Sequence, residues 1–226
     1  MPQTPSKKLP PIRQLLELMA ALRAPDGCPW DREQDHKTLR WHAVEEVYEL
    51  LDAIENDDDH EMAEELGDLL LQVVFHAQLA RERGAFDFDA LTQRLVDKLV
   101  RRHPHVFGDV KVKDVDQVWA NWEQIKRAEK AGSKHERKSA LDGIPARLPA
   151  LMRAQKLVKK ARKAKLAEAM KPAKAKPAKA TVAAELFRLA ELCQTHDWSA
   201  EELLRQETGK RERAWRKAER RAASGK

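Results

Sequence analysis

The sequence predicts an all-α fold: a helical bundle followed by a basic helical region. Apolar residues recur at i, i+3, i+4 and i+7 through most of the chain. Leu, Ala, Glu, Lys and Arg, all strong helix formers, fill the long stretches, while the 226 residues hold only eight glycines and 5% aromatics. No run alternates apolar and polar residues as a half-buried strand does.

The first helix follows a proline pair in "LPPIRQLLELMAALRA", where Ile12, Leu15, Leu16, Met19 and Leu22 repeat at helical spacing. "PDGCPWD" ends it with Asp-Gly and Cys-Pro turn signals. A second helix is predicted from about Leu39 to Ile54, with Val44, Val47, Tyr48, Leu51 and Ile54 as its apolar stripe. The "NDDD" turn leads into a third, from about His60 to Arg83, and Asp58 stands three residues before Glu61 as a capping box requires. On this helix Leu66, Leu69, Leu70, Val73, Val74 and Ala77 make one apolar face, while Glu61, Glu65, Asp68, Gln72 and His76 follow each other as a polar stripe. A fourth helix runs from about Asp89 to Arg102, "HPHVFGDVKVKD" is a loop, and "DQVWANWEQIKRAEK" is a fifth helix.

Beyond Lys130 the composition changes, which sets the domain limits at 10–130 for a helical domain, 131–150 for a linker and 151–226 for a basic helical region. "KPAKAKPAKA" at 171–180 is low-complexity and broken by proline. "TVAAELFRLAEL…RAWRKAERR" is read as one last helical stretch. Residues 1–149 hold 22 Lys and Arg against 28 Asp and Glu, whereas 150–226 hold 21 against 9, so the basic character belongs to the C-terminal third. Clustered cations there can bind nucleic acid by releasing counterions; a solubilising tail is the alternative. Cys28 and Cys193 are too few for a disulfide framework, and no stretch approaches the ~18 apolar residues of a membrane span, so a cytoplasmic location is expected.

The chemistry is concentrated in the second and third helices. Glu45, Glu46 and Glu49 share one helix edge, and a hairpin brings Glu65 and Asp68 alongside. Carboxylates so close repel each other, and desolvation adds to the cost unless a cation neutralises them. A hard divalent ion such as Mg²⁺ takes oxygen ligands and keeps positions open for water and phosphate. Solvated surface acids are the alternative for any one of these residues, but Asp68 sits within "LGDLLLQVVF", where few positions face solvent. "DKLVRRHPH" adds Lys98, Arg101 and Arg102 as phosphate donors, a solvated basic helix end being the alternative.

The pattern Glu45-Glu46-x-x-Glu49 followed by Glu65-x-x-Asp68 resembles the signature of MazG-type nucleoside triphosphate pyrophosphohydrolases, of the all-α NTP pyrophosphatase superfamily. "GCPWDREQDHKTL", "EELGDLLLQVVFHAQ", "DKLVRRHPHVFG" and "WEQIK" resemble the family in the same order, over about residues 10 to 130. The resemblance implies hydrolysis of nucleoside triphosphates to a monophosphate and pyrophosphate by a Mg²⁺-dependent helical bundle, with Mn²⁺ as a substitute ion, that pairs into a homodimer or higher oligomer. It implies Glu46, Glu49, Glu65 and Asp68 as metal ligands, with Glu45, Glu46 and Glu49 as the catalytic acids; Glu45 stands beside the ligands to orient or deprotonate water. It further implies Lys126 on phosphate and Trp30, Asp31, Gln34 and Trp122 on the nucleoside side. Trp119, one turn before Trp122, is expected in the core.

"SALDGIPARLPALMRAQKL" resembles the start of the second unit in two-copy members of the family, but no E-E-x-x-E follows, and Arg188 stands at the Asp position of E-x-x-D. A cation there repels a metal ion, so the second repeat is expected to be inactive. From another class, a helical nucleic-acid- or partner-binding regulator with a vestigial metal site fits the basic tail, and hydrolysis of a guanosine tetraphosphate-type alarmone is a narrower enzymatic option.

Overall fold

The computed structural model describes residues 4–133, 136–167 and 177–224 and contains no strand among them. The chain divides into two compact units, 1–113 and 114–226. The expected boundary at Lys130 therefore lies inside the second unit, and the fifth predicted helix belongs there.

In the first unit, α1 (Pro11–Leu22) begins with proline at its first position, where a missing N–H costs nothing. A short α2 (Pro29–Glu33) forms where the sequence was read as turn. α3 (His42–Glu55) and α4 (Asp59–Glu82) form a hairpin through a tight turn in which Asp57 takes a left-handed φ of 53°. Asp58 caps α4 as expected, its carboxylate accepting from the backbone N–H of His60 (3.0 Å) and Glu61 (3.1 Å). α5 (Phe88–Arg102) is capped by Asp87, and the predicted loop after it contains a short α6 (Pro104–Phe107).

The core of this unit is Met19 of α1, Leu39, and Val74, Phe75 and Leu79 of α4, with Leu15, Leu16, Leu71 and Phe88 packed around them. The predicted α3 stripe is not buried: Val44, Val47, Tyr48, Leu51 and Ile54 are exposed, as are Leu66, Leu70 and Val73 of α4. Only Ala53 of α3 is buried. The physical reason is layer count. α4 is covered by α1 on one side and by α3 on another, and the apolar edge that the hairpin turns outward exceeds what this unit can cover.

The second unit comprises α7 (Val115–Ala128), α8 (Ala150–Lys163), α9 (Lys179–Thr195) and α10 (Ala200–Ala223). Its core joins Leu141, Leu157 and Ala161 to Ile144, Leu166, Ala167 and Trp215. The stretch expected as a linker thus supplies core residues, and Trp215 of α10 packs against them. Arg216 bridges Asp142 (2.7 Å) and Glu212 (2.8 Å), and Glu212 also accepts from Arg153 (2.6 Å). The last predicted helix is broken: Asp197 is left-handed at φ 54°, and the Ser199 side chain accepts from Glu202 N–H to start α10 afresh. The basic helix ends at Lys163, followed by Lys165 with φ 56°. Most of the low-complexity 171–180 segment lies outside the described residues.

Candidate metal and nucleotide site

The hairpin register decides which acids meet. Glu46 and Glu49 are three apart on α3, hence neighbours on one face, and Glu65 lies across from them on α4. One carboxylate oxygen from each of Glu46, Glu49 and Glu65 lies within 4.8 Å of the other two. Asp68 stands outside this closest set, yet its charge acts on both Glu46 and Glu65. Glu45 also adds its charge to Glu46, but its own carboxylate turns to His42, 3.8 Å away at a more exposed edge.

The electrostatics are those of an unneutralised acid cluster. Burial, and then the charges of Asp68 and Glu49, hold the Glu46 carboxyl above the usual carboxylate range, while a hydrogen bond from Gln72 Nε2 at 3.5 Å pulls the other way. Burial followed by Glu49, Asp68 and Glu46 raises Glu65 likewise. Three oxygens at such spacing suit a hard divalent ion, which takes oxygen ligands and removes the repulsion at once.

The loop before α3 is held by one arginine. Arg23, the C-cap of α1, donates through Nε and Nη2 to the two oxygens of Glu82 on α4, at 2.6 and 2.7 Å. Its Nη1 donates to the carbonyls of Asp31 and Gln34, and the guanidinium lies 5.6 Å from the Phe75 ring centroid. The same cation thus fixes the backbone of Asp31 and Gln34 to α4. Gln34 Nε2 donates to the Trp30 carbonyl at 3.0 Å, and the exposed Trp30 ring meets His42 edge-on at 6.2 Å. Two residues beyond Gln34, His36 stacks on His76 of α4, ring centroids 5.1 Å apart, with their Nδ1 atoms at 2.9 Å.

Of the cations, Lys98 and Arg102 are half-buried and Arg101 exposed near the end of α5. Trp122 and Lys126 lie one turn apart on α7, in the second unit; Lys126 pairs with Glu123 at 3.2 Å and the Trp122 ring lies 6.4 Å from that of Trp119. Trp119 is 61% exposed rather than in the core, because α7 has more apolar faces than neighbours to cover them. On α9, Arg188 gives two hydrogen bonds to Glu185, at 2.7 and 2.8 Å, so the residue at the expected Asp position occupies the carboxylate three before it.

Two contacts escaped the sequence reading. Gln72 was visible as a member of the α4 polar stripe, but its contact with Glu46 depends on the hairpin register. Arg23 meets Glu82 across 59 residues and has no local signature.

Residues 34–107 match the MazG nucleotide pyrophosphohydrolase domain. The chain is 52% identical over 150 residues to a nucleoside triphosphate pyrophosphohydrolase of Escherichia coli (strain K12), an alignment covering 66% of this chain and 56% of that one. It is 46% identical over 146 residues to the nucleoside triphosphate pyrophosphohydrolase/pyrophosphatase MazG of Thermotoga maritima, covering 65% and 54%. It is also 51% identical over 142 residues to the uncharacterized protein YabN of Bacillus subtilis, covering 63% and 28%. The chain therefore spans about half or less of the length of these curated relatives. The domain match runs across the whole acid-bearing hairpin, so residues 34–107 are similar to MazG nucleotide pyrophosphohydrolase domains.

Proposed function

We propose that this chain hydrolyses nucleoside triphosphates between the α and β phosphates, giving a nucleoside monophosphate and pyrophosphate. The observation that carries the reading is the convergence of Glu46, Glu49 and Glu65 oxygens within 4.8 Å inside a MazG domain. Glu46, Glu49, Glu65 and Asp68 would hold Mg²⁺, or Mn²⁺ in its place. Such an ion supplies charge neutralisation on phosphate oxygens and a water of lowered pKa. Glu45, next to Glu46 on α3, orients the attacking water and takes its proton. Lys98, Arg101 and Arg102 neutralise the polyphosphate, whose charge grows on the leaving oxygens as the bond breaks. Trp30, Asp31 and Gln34 are assigned to the nucleoside side, and the Arg23 clamp keeps the Asp31–Gln34 backbone in place for that task.

The working form is assigned as a homodimer. Its support is the row of exposed apolar residues on the same hairpin, Val47, Leu51 and Ile54 of α3 and Leu66, Leu70 and Val73 of α4; contiguous apolar surface of this kind marks protein interfaces. The free Cys28 and Cys193 fit a cytoplasmic location.

The test is pyrophosphate release from a panel of canonical and modified (d)NTPs with Mg²⁺, comparing the full chain with Glu49→Gln and Asp68→Asn. Metal-dependent release lost in both variants is expected. A folded wild-type protein that releases pyrophosphate from no triphosphate overturns the reading.

A further inference from the structure

Gln72 lies one turn beyond Asp68 on the polar stripe of α4 and is buried, with only 8% of its surface exposed. Its Nε2 donates to Glu46 Oε1 at 3.5 Å, the long end of a hydrogen bond. Its Oε1 is buried with no hydrogen-bond partner among the described residues. An amide buried with its acceptor unmet weakens a fold. A Met or Leu at this position, among Leu71, Val74 and Phe75, would carry no such penalty. The amide is therefore poorly explained by packing, and its one bond goes to a carboxylate of the acid cluster. Hydrogen bonds at ligand-free sites are often long and tighten when the site fills, and partners of metal-ligating carboxylates fix their orientation.

We propose that Gln72 is a positioning residue of the acid site, whose amide holds the Glu46 carboxylate in the arrangement that takes a divalent metal with Glu49 and Glu65. The inference rests on the metal-site reading above and adds a residue to it. An amide suits the task because it donates to the carboxylate without adding charge. A Lys at the same place would compete with the ion, and a Glu would add to the repulsion.

The experiment measures Mn²⁺ binding to the full chain by electron paramagnetic resonance of the free ion, alongside thermal melting without metal. The variants are Gln72→Met, Val74→Ala and Glu49→Gln. Gln72→Met is expected to weaken Mn²⁺ binding about ten- to hundred-fold while its metal-free melting midpoint is unchanged or raised. Val74→Ala, a core truncation two residues away, is expected to lower the midpoint and leave Mn²⁺ affinity alone. Glu49→Gln should lose the ion. Equal affinity in Gln72→Met and wild type overturns the role of Gln72 and leaves the metal site standing. Affinity lost to the same degree in Val74→Ala overturns it too, because the effect would then be structural. If Gln72→Met does not fold, Gln72→Leu is measured in its place; collapse of both shows that the fold needs the amide and equally overturns the proposal. Absence of Mn²⁺ binding by wild type, with Glu49→Gln indistinguishable from it, instead removes the metal reading on which the inference rests.

Discussion

Arg23 offers the sharpest quantitative test of how the Asp31–Gln34 loop is held. Its side chain is 9% exposed and that of Glu82 36%, with both guanidinium-to-carboxylate distances below 2.8 Å. Arg23→Met keeps the apolar stem against Phe75 and removes the fork. Two charge-assisted bonds are worth about 1.5–3 kcal/mol each when desolvated. The exposed edge of Glu82 lets water screen and replace part of that, while the Asp31 and Gln34 carbonyls lose a donor. The net cost is about 3 kcal/mol, which for a chain of this size lowers the melting midpoint by roughly 6–12 °C. The Arg23 hydrogen bond holds the Glu82 carboxyl below its ordinary value of 4.5. A depressed folded value means stability present above about pH 4.5 and lost as the pH falls through the folded value. The Arg23→Met penalty should therefore be full at pH 7 and shrink in acid. Thermal and urea melts of wild type, Arg23→Met, Glu82→Gln and the double variant make the measurement as a cycle. A midpoint within about 2 °C of wild type, or strict additivity of the two single changes, would refute the reasoning.

Three further outcomes are expected. Asp58→Ala removes the α4 cap and should destabilise by about 1 kcal/mol in urea titration, with Asp58→Asn close to wild type. Burial and the neighbouring acids raise the Glu46 carboxyl above its ordinary 4.5. Its stabilising contribution is complete below that pH and lost as the pH rises through the folded value, so at pH 7 without metal Glu46→Gln should melt higher than wild type. Mg²⁺ should raise the wild-type midpoint and leave that variant unmoved. Burial, then His36, lowers His76 below its ordinary 6.5. Stability from the neutral ring is thus full above about pH 6.5 and lost as the pH falls, and His76→Phe should flatten the pH dependence of the urea midpoint between about pH 7.5 and 5.5.

The acid hairpin was legible in the sequence because its information is local. Spacings of three and four residues place Glu46 and Glu49 on one face, and the Asp58 cap and "NDDD" turn fix where the partner helix begins. The covering of the apolar stripe was not legible: Val47 and Leu51 announce an apolar face but not which surface meets it. Short helices hid behind turn signals, since the proline that ends one element also starts α2 and α6. The break between α9 and α10 rests on one left-handed residue, Asp197, and asparagine or aspartate in that conformation looks in sequence like any polar helical position.

In the Glu185–Arg188 pair on α9, the carboxylate has its charge balanced from within the chain. An acid cluster depends on an ion drawn from solution, so its charge balance follows the supply of that ion. With the cation built into the chain, the balance is permanent. Both partners are more than half exposed, at 55% and 57%, so the bridge itself adds little stability. Its effect is to let the helix carry an acid whose charge needs no ion from solution. One neighbouring side chain is enough to make that balance independent of the medium's ion content.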